Sequence, residues 1–261
     1  MLKRELEYFF AAVRFFTRLP VPAWVGHSAE QLDHATRYFP LMGIIVGSIG
    51  ASVTLMASLL LPVSIAIILG MVATLLATGA FHEDGLADAV DGFGGGWTVL
   101  RILDIMKDSR VGSYGAIAMT LMLLGKFSAL LEIGMHQGVM LLCLALVAGH
   151  AVSRLASTSL LYFLAYVRED ALSKSKPLGK QISPGELLVA SIVGLAPVLY
   201  LAHLWPDSRA LASAMVLVVA VTLYVGRYFR KHIGGYTGDC LGATQQIAEV
   251  SFYIGLLCKF S

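Results

Sequence analysis

The chain has 261 residues, 57% of them apolar and 14% charged, with a mean hydropathy of +0.76. Such a composition excludes an ordinary water-facing surface and calls for lipid around the chain. A formal net charge of +2 with no dense Lys/Arg run excludes a surface that tracks a phosphate backbone, so no nucleic-acid partner is expected.

The N-terminal segment MLKRELEYFFAAVRFFTRLPVP is charged throughout and lacks an uninterrupted apolar core, which does not describe a cleavable signal peptide. Its apolar residues recur at helical spacing beside Lys3, Arg4, Arg14 and Arg18, which predicts a helix lying in the membrane interface. A spanning helix needs about 20 mostly apolar residues. That rule places seven spans, near 41–61, 63–81, 113–134, 138–162, 186–205, 210–229 and 242–258. Gly43 and Gly47 stand four apart in the first span, where small residues let a neighbouring helix approach closely. Only Pro62 separates the first two spans, and polar residues weaken the last.

With the N-terminus in the cytoplasm, the inner segments are 1–40, 82–112, 163–185 and 230–241. They and the adjoining helix ends hold nearly all the Lys and Arg, including Lys174, Lys176 and Lys180; only Lys126, Arg209 and Lys259 fall elsewhere. The positive-inside rule therefore puts segment 82–112 in the cytoplasm. No internal repeat, low-complexity tract or linker marks a second domain. The expected architecture is one all-α, polytopic membrane domain over residues 1–261. Cys143, Cys240 and Cys258 are odd in number and lack metal-ligand spacing, so they read as apolar filler.

The densest chemistry lies in TGAFHEDGLADAVDGFGGGW, residues 78–97. If the hydrophobic helix continues through it at 100° per residue, Asp84, Asp88 and Asp91 fall within about 60° of one another, with Glu83 to the side. Like charges so close are tolerated when they take up protons or share a cation. All-oxygen ligands suit Mg²⁺ or Mn²⁺, and Mg²⁺ held by few carboxylates usually also binds substrate phosphate. A second pair, Asp104 and Asp108, lies four residues apart beside Lys107 and Arg110. Two acidic segments facing each other would clamp metal on a diphosphate while the cations neutralise its other oxygens.

Outside these segments, His82 is a candidate general base or phosphate donor, or simply a helix-end histidine satisfied by a carboxylate. His150 and Arg154 share a helical face, and Arg154 is placed to meet a substrate phosphate or to snorkel at the interface. Asp239 stands at the mouth of the last span, a candidate for substrate or metal. Gln245, Gln246 and Glu249 are carried into that span and must face protein or a cavity. Lys126, deep in the third span, has Glu249 as a potential partner.

Four segments together resemble the cobalamin synthase (adenosylcobinamide-GDP ribazoletransferase) family: FFTRLPVP at 15–22, FHEDGLADAVDGFGGG at 81–96, KDSRVGSYGAIA at 107–118 and GGYTGDCLGATQQ at 234–246. The resemblance implies a Mg²⁺-dependent enzyme of the bacterial inner membrane, with its site facing the cytoplasm. It would join α-ribazole, or its phosphate, to adenosylcobinamide-GDP, releasing GMP. On that reading Glu83, Asp84, Asp88, Asp91, Asp104 and Asp108 hold Mg²⁺ on the diphosphate. Lys107, Arg110 and Arg154 stabilise the departing GMP, and Asp239 contacts substrate. Asp88, Asp91 and His82 are the catalytic candidates, with the proton acceptor either a carboxylate or His82. Homo-oligomer formation and association with other nucleotide-loop assembly enzymes stay open.

Two rivals share the acidic pattern. A lipid phosphotransferase or prenyltransferase also uses spaced acids and Mg²⁺, but the phosphotransferase pattern needs an Ala-Arg pair where Ala89 is followed by Val90. A cation transporter would place its acids nearer the bilayer midplane.

Overall fold

The computed structural model describes residues 2–26, 28–108, 110–167 and 181–259. The basic run of Lys174, Lys176 and Lys180 lies outside these. The described helices are, in chain order, α1 (Leu2–Phe16), α2 (Ala29–Ala35), α3 (Phe39–Ser58), α4 (Val63–Thr78), α5 (Phe81–Gly95), α6 (Val99–Lys107), α7 (Ser113–Phe163), α8 (Pro184–Ala202), α9 (Ser208–Ile233) and α10 (Gly238–Leu256). The fold is all-α, as the sequence predicts; among the described residues the extended pairing is one isolated bridge between Tyr166 and Tyr236.

Four helical stretches are long and apolar enough to cross a bilayer: Gln31–Ser58, α7, α8 and α9. The number is five if α4 and α5, bent by 85° from each other, are taken together. The chain is therefore a multi-pass membrane protein, although length and hydropathy do not confirm the expected seven spans. Part of the difference lies in α7. Its Gly138 adopts φ 83° and ψ 164°, a backbone region open to glycine and almost nothing else. Lys126 and His150 each stand twelve residues from Gly138, yet both reach Glu249, at 2.5 and 3.4 Å. In a straight helix they would be about 36 Å apart. The long helix therefore folds back on itself at Gly138, where the hydropathy pattern separates 113–134 from 138–162.

The other part is α10, whose polar residues exclude it from a hydropathy count. It is nonetheless buried over almost its whole length, packed against α5, α7 and α9. A helix surrounded by helices rather than lipid can carry such residues. One apolar cluster, including Leu130, Ile133, Leu142, Leu146, Phe252 and Leu256, fills the end of the bundle near Gly138. A second, with Leu86, Ile102, Met106, Phe229 and Leu241, fills the end that carries the acidic segment. Helix α1 packs on α3 there through Ala12, Phe16, Phe39 and Met42.

The paired glycines of α3 do what their spacing predicts. A Cβ at Gly47 would stand 2.9 Å from the Val147 Cα, and one at Gly43 would collide with the His150 carbonyl on α7. Gly43→Ala is therefore expected to destabilise the chain by about 1–3 kcal/mol. Thermal unfolding in detergent micelles checks this, and an unchanged midpoint would mean that the α3–α7 approach is not a tight one.

Candidate active site

The acidic segment does not extend the helix before it. Helix α4 ends where Gly79 turns left-handed at φ 68°, its N–H donating to the Leu75 carbonyl. Ala80 follows at φ 57°, a conformation that costs a non-glycine residue about 1–2 kcal/mol. The N-terminal strap fastens the break: the Arg18 N–H donates to the Ala77 carbonyl at 2.7 Å, and the Arg18 guanidinium lies against Gly79. Helix α5 then departs at 85°, so the carboxylates lie on a separate helix. Glycine lets that helix touch α10 directly, since a Cβ at Gly85 would stand 3.2 Å from the Asp239 Cα and 3.3 Å from the Gly242 Cα.

Within α5 the acids part company. Asp84 is exposed and Asp88 half-buried. Asp91 is buried, its Oδ2 accepting from the Gly112 N–H at 2.7 Å and its Oδ1 from the Gly115 N–H at 2.9 Å. These amides open α7, so Asp91 caps that helix from a distance and meets the positive end of its dipole. One lone-pair site on each oxygen remains for another partner. Glu83 points the other way, into the bundle, where the Gln246 side-chain N–H donates to its Oε1 at 2.9 Å. Helical spacing places Asp84, Asp88 and Asp91 on one face; the packing of α7 and α10 gives each acid a different environment.

The second acidic pair stands on and just after α6. Helix α6 packs on α5 through Ile102 and Met106, with Met106 against Gly92, and Asp104 lies on its exposed side. Asp108 is engaged by Arg110, whose Nε donates to Oδ1 at 3.0 Å and whose Nη2 donates to Oδ2 at 2.6 Å. That guanidinium brings the Asp108 carboxyl down to about 2, so it is ionised and compensated at neutral pH. Lys107 and Arg110 are exposed. Asp239 is half-buried at the start of α10, beside the first turn of α5.

Arg154 and His82 are interior groups. Arg154 is 1% exposed, donating through Nη1 to the His150 carbonyl at 2.9 Å, with its guanidinium carbon 5.7 Å from the centre of the Phe39 ring. His82, 2% exposed, packs its ring edge-on to Phe39 and Phe81. A continuous polar chain runs inward from the acidic helix. Gln246 links Glu83 to the Gln245 Oε1, and Gln245 donates to Ser153 and Glu249. Glu249 also accepts from Lys126 and from the Tyr253 hydroxyl. The Lys126–Glu249 pair matches the sequence expectation, whereas Tyr253 was not singled out there. Its signal was the i+4 spacing from Glu249.

Among the described residues no three His, Cys, Asp or Glu side chains are grouped to hold a metal ion. An all-protein cage therefore does not fit. Outward carboxylates at Asp84 and Asp88 do fit a hard cation that takes one or two protein oxygens and completes its shell with water and phosphate.

The four resembling segments, scattered over the sequence, meet around α5: the 15–22 strap at its start, the 107–118 amides on Asp91, and the 234–246 segment on Gly85 and Glu83. The family model described as cobalamin-5-phosphate synthase matches residues 8–257. A protein of Shewanella frigidimarina (strain NCIMB 400) is 48% identical over 97% of this chain and 95% of its own length. Others of Shewanella amazonensis (strain ATCC BAA-1098 / SB2B) and Shewanella woodyi (strain ATCC 51908 / MS32) are 46% and 45% identical over 99% and 98% of this chain and 98% of each relative. All three are named adenosylcobinamide-GDP ribazoletransferase. No solved structure matches.

Proposed function

The chain belongs to the cobalamin-5-phosphate synthase family, and on that basis we propose that it is an adenosylcobinamide-GDP ribazoletransferase whose Mg²⁺-dependent site is the outward face of α5. It transfers the cobinamide phosphate of adenosylcobinamide-GDP to the hydroxyl of α-ribazole or α-ribazole phosphate, giving adenosylcobalamin or its phosphate and GMP. The observation that carries the placement is the meeting of the four separated segments around this one short helix.

Asp84, exposed, and Asp88, half-buried one turn on, would hold the metal from the outward face of α5, with Asp239 beside them. Bound Mg²⁺ would neutralise charge on the diphosphate. Lys107 and Arg110 meet the remaining phosphate oxygens, Arg110 while still paired with Asp108. Asp91 contributes by fixing the start of α7 against α5. Substrates held in line need little more from the protein than position and charge neutralisation. The attacking hydroxyl forms its bond to the phosphorus as the bond to GMP breaks, and its proton passes to a carboxylate of the outward face. The burial of His82 argues against a direct part in that transfer.

Of the two rivals, the transporter would use the acids of α5 as its ion site, and the helix that carries them packs at one end of the bundle, among the cluster with Leu86, Ile102 and Leu241.

Purified chain in lipid nanodiscs, given adenosylcobinamide-GDP, α-ribazole and Mg²⁺, should form adenosylcobalamin and GMP in equal amounts, with no turnover in chelator. Absence of product, or full turnover without divalent metal, overturns the respective part of the proposal. The cytoplasmic orientation has its own test, in a chain whose native cysteines are blocked. Trp97→Cys, at a position 96% exposed after α5, should be labelled only from the cytoplasmic side, and Ser208→Cys only from the outside. Reversed labelling would turn the site to the wrong compartment.

A further inference from the structure

Six buried side-chain atoms have no hydrogen-bond partner among the described residues: His82 Nδ1 and Nε2, Glu83 Oε2, His150 Nε2, Arg154 Nε and Gln246 Oε1. They are not scattered. All sit on α5, the second half of α7 and α10, along the polar chain that runs from Glu83 to Glu249. Glu83 and Gln246 are hydrogen-bonded to each other, as are Arg154 and His150. Phe39 lies between His82 and the second pair, its ring centre 5.4 Å from that of His82 and 5.7 Å from the Arg154 guanidinium carbon. Five residues are each at least nine-tenths buried. In a lipid-embedded bundle each orphaned group costs about 1–3 kcal/mol if left dry.

The chemistry of these atoms selects the ligand. Arg154 Nη1 lies 3.0 Å from His150 Nδ1 and can only donate, so Nδ1 accepts and His150 Nε2 carries the proton. Arg154 Nε also donates. With Glu83 as a carboxylate, its Oε2 and the Gln246 Oε1 accept, and a neutral His82 offers one donor and one acceptor. Donors and acceptors then balance at three each. A metal cation would leave the donors unmatched and a phosphate the acceptors. Water, which donates and accepts in equal measure, matches both.

We propose that these six atoms enclose a buried chamber of ordered water between α5, α7 and α10, behind the acidic face. At about three hydrogen bonds per buried molecule, six free valences correspond to about two waters. The water extends the Glu83–Gln246–Gln245–Glu249 chain to His82, His150 and Arg154. It lies within the bundle, separate from the outward face assigned to substrate.

Pulsed X-ray radiolysis tests this on the unaltered chain in nanodiscs, because hydroxyl radicals formed from bound water oxidise the side chains that line it. His82 and His150 should be oxidised at least ~5-fold faster than Phe252, which is fully buried in the apolar cluster. Exposed His136 serves as the upper reference. In His150→Phe, which fills the chamber and removes a donor, oxidation of His82 should fall toward the Phe252 rate while that of His136 stays unchanged. Rates at His82 and His150 no greater than at Phe252 in the unaltered chain would overturn the proposal. So would a structure in lipid in which the six atoms pair directly with one another. Neither readout depends on transferase activity.

Discussion

Asp88→Asn is expected to lower transfer by at least ~10²-fold while lowering the thermal unfolding midpoint less than Asp91→Asn does, the loss that follows when a group stabilising charge at the reacting phosphate is removed. Asp88 stands half-buried on the outward face of α5, one turn from exposed Asp84, and the substitution keeps its size while removing its charge. Asp91→Asn should behave differently, although it lies on the same helical face. Both Asp91 oxygens accept from backbone amides at the start of α7. An amide in its place retains one acceptor and presents its NH₂ to the other N–H. Leaving that N–H unmatched costs about 1–3 kcal/mol, so this variant should lose stability together with activity. Excess Mg²⁺ should rescue neither loss. Turnover assays and unfolding curves on both variants separate the roles. Near-normal turnover by Asp88→Asn at saturating Mg²⁺ would remove Asp88 from the site, and an unchanged midpoint for Asp91→Asn would remove the capping role.

Lys126→Met is expected to destabilise the chain by about 3–5 kcal/mol, because it leaves Glu249 charged and fully buried without its ammonium partner. Glu249 keeps hydrogen bonds from Gln245 and Tyr253, but these are neutral donors and supply less than the lost ion pair. The expected fall in unfolding midpoint is about 10 °C. The double variant Lys126→Met/Glu249→Gln removes both charges and should recover most of the loss, since a missing pair costs far less than a broken one. Unfolding in detergent micelles, followed by intrinsic fluorescence, measures all three chains. If the double variant were as unstable as Lys126→Met, the pair would be stabilising through packing rather than charge.

Much of the architecture was legible in the sequence because bilayer thickness sets the length of an apolar run. Helices α3, α8 and α9 fall within a few residues of the expected spans, and the fold-back at Gly138 falls at the expected gap. The close approach at Gly43 and Gly47 and the Lys126–Glu249 partnership were legible for a related reason. Small residues at interhelical spacing, and opposite charges deep in apolar segments, leave few arrangements that lipid permits.

The acidic helix shows where such reading ends. Periodicity determined that Asp84, Asp88 and Asp91 share a face, and that much follows from 3.6 residues per turn. It did not determine that the helix would begin anew at Phe81, because the left-handed turn at Gly79 and Ala80 is stabilised by a strap some sixty positions earlier in the chain. Nor did it determine that α7 would seat its first amides on Asp91, that Gln246 would draw Glu83 inward, or that Asp104 would turn away with the exposed side of α6. A helix dictates the directions of its side chains from its own geometry. Whether a carboxylate meets solvent, an amide or another helix depends on what packs against it, and that was decided only when α5, α6, α7 and α10 came together.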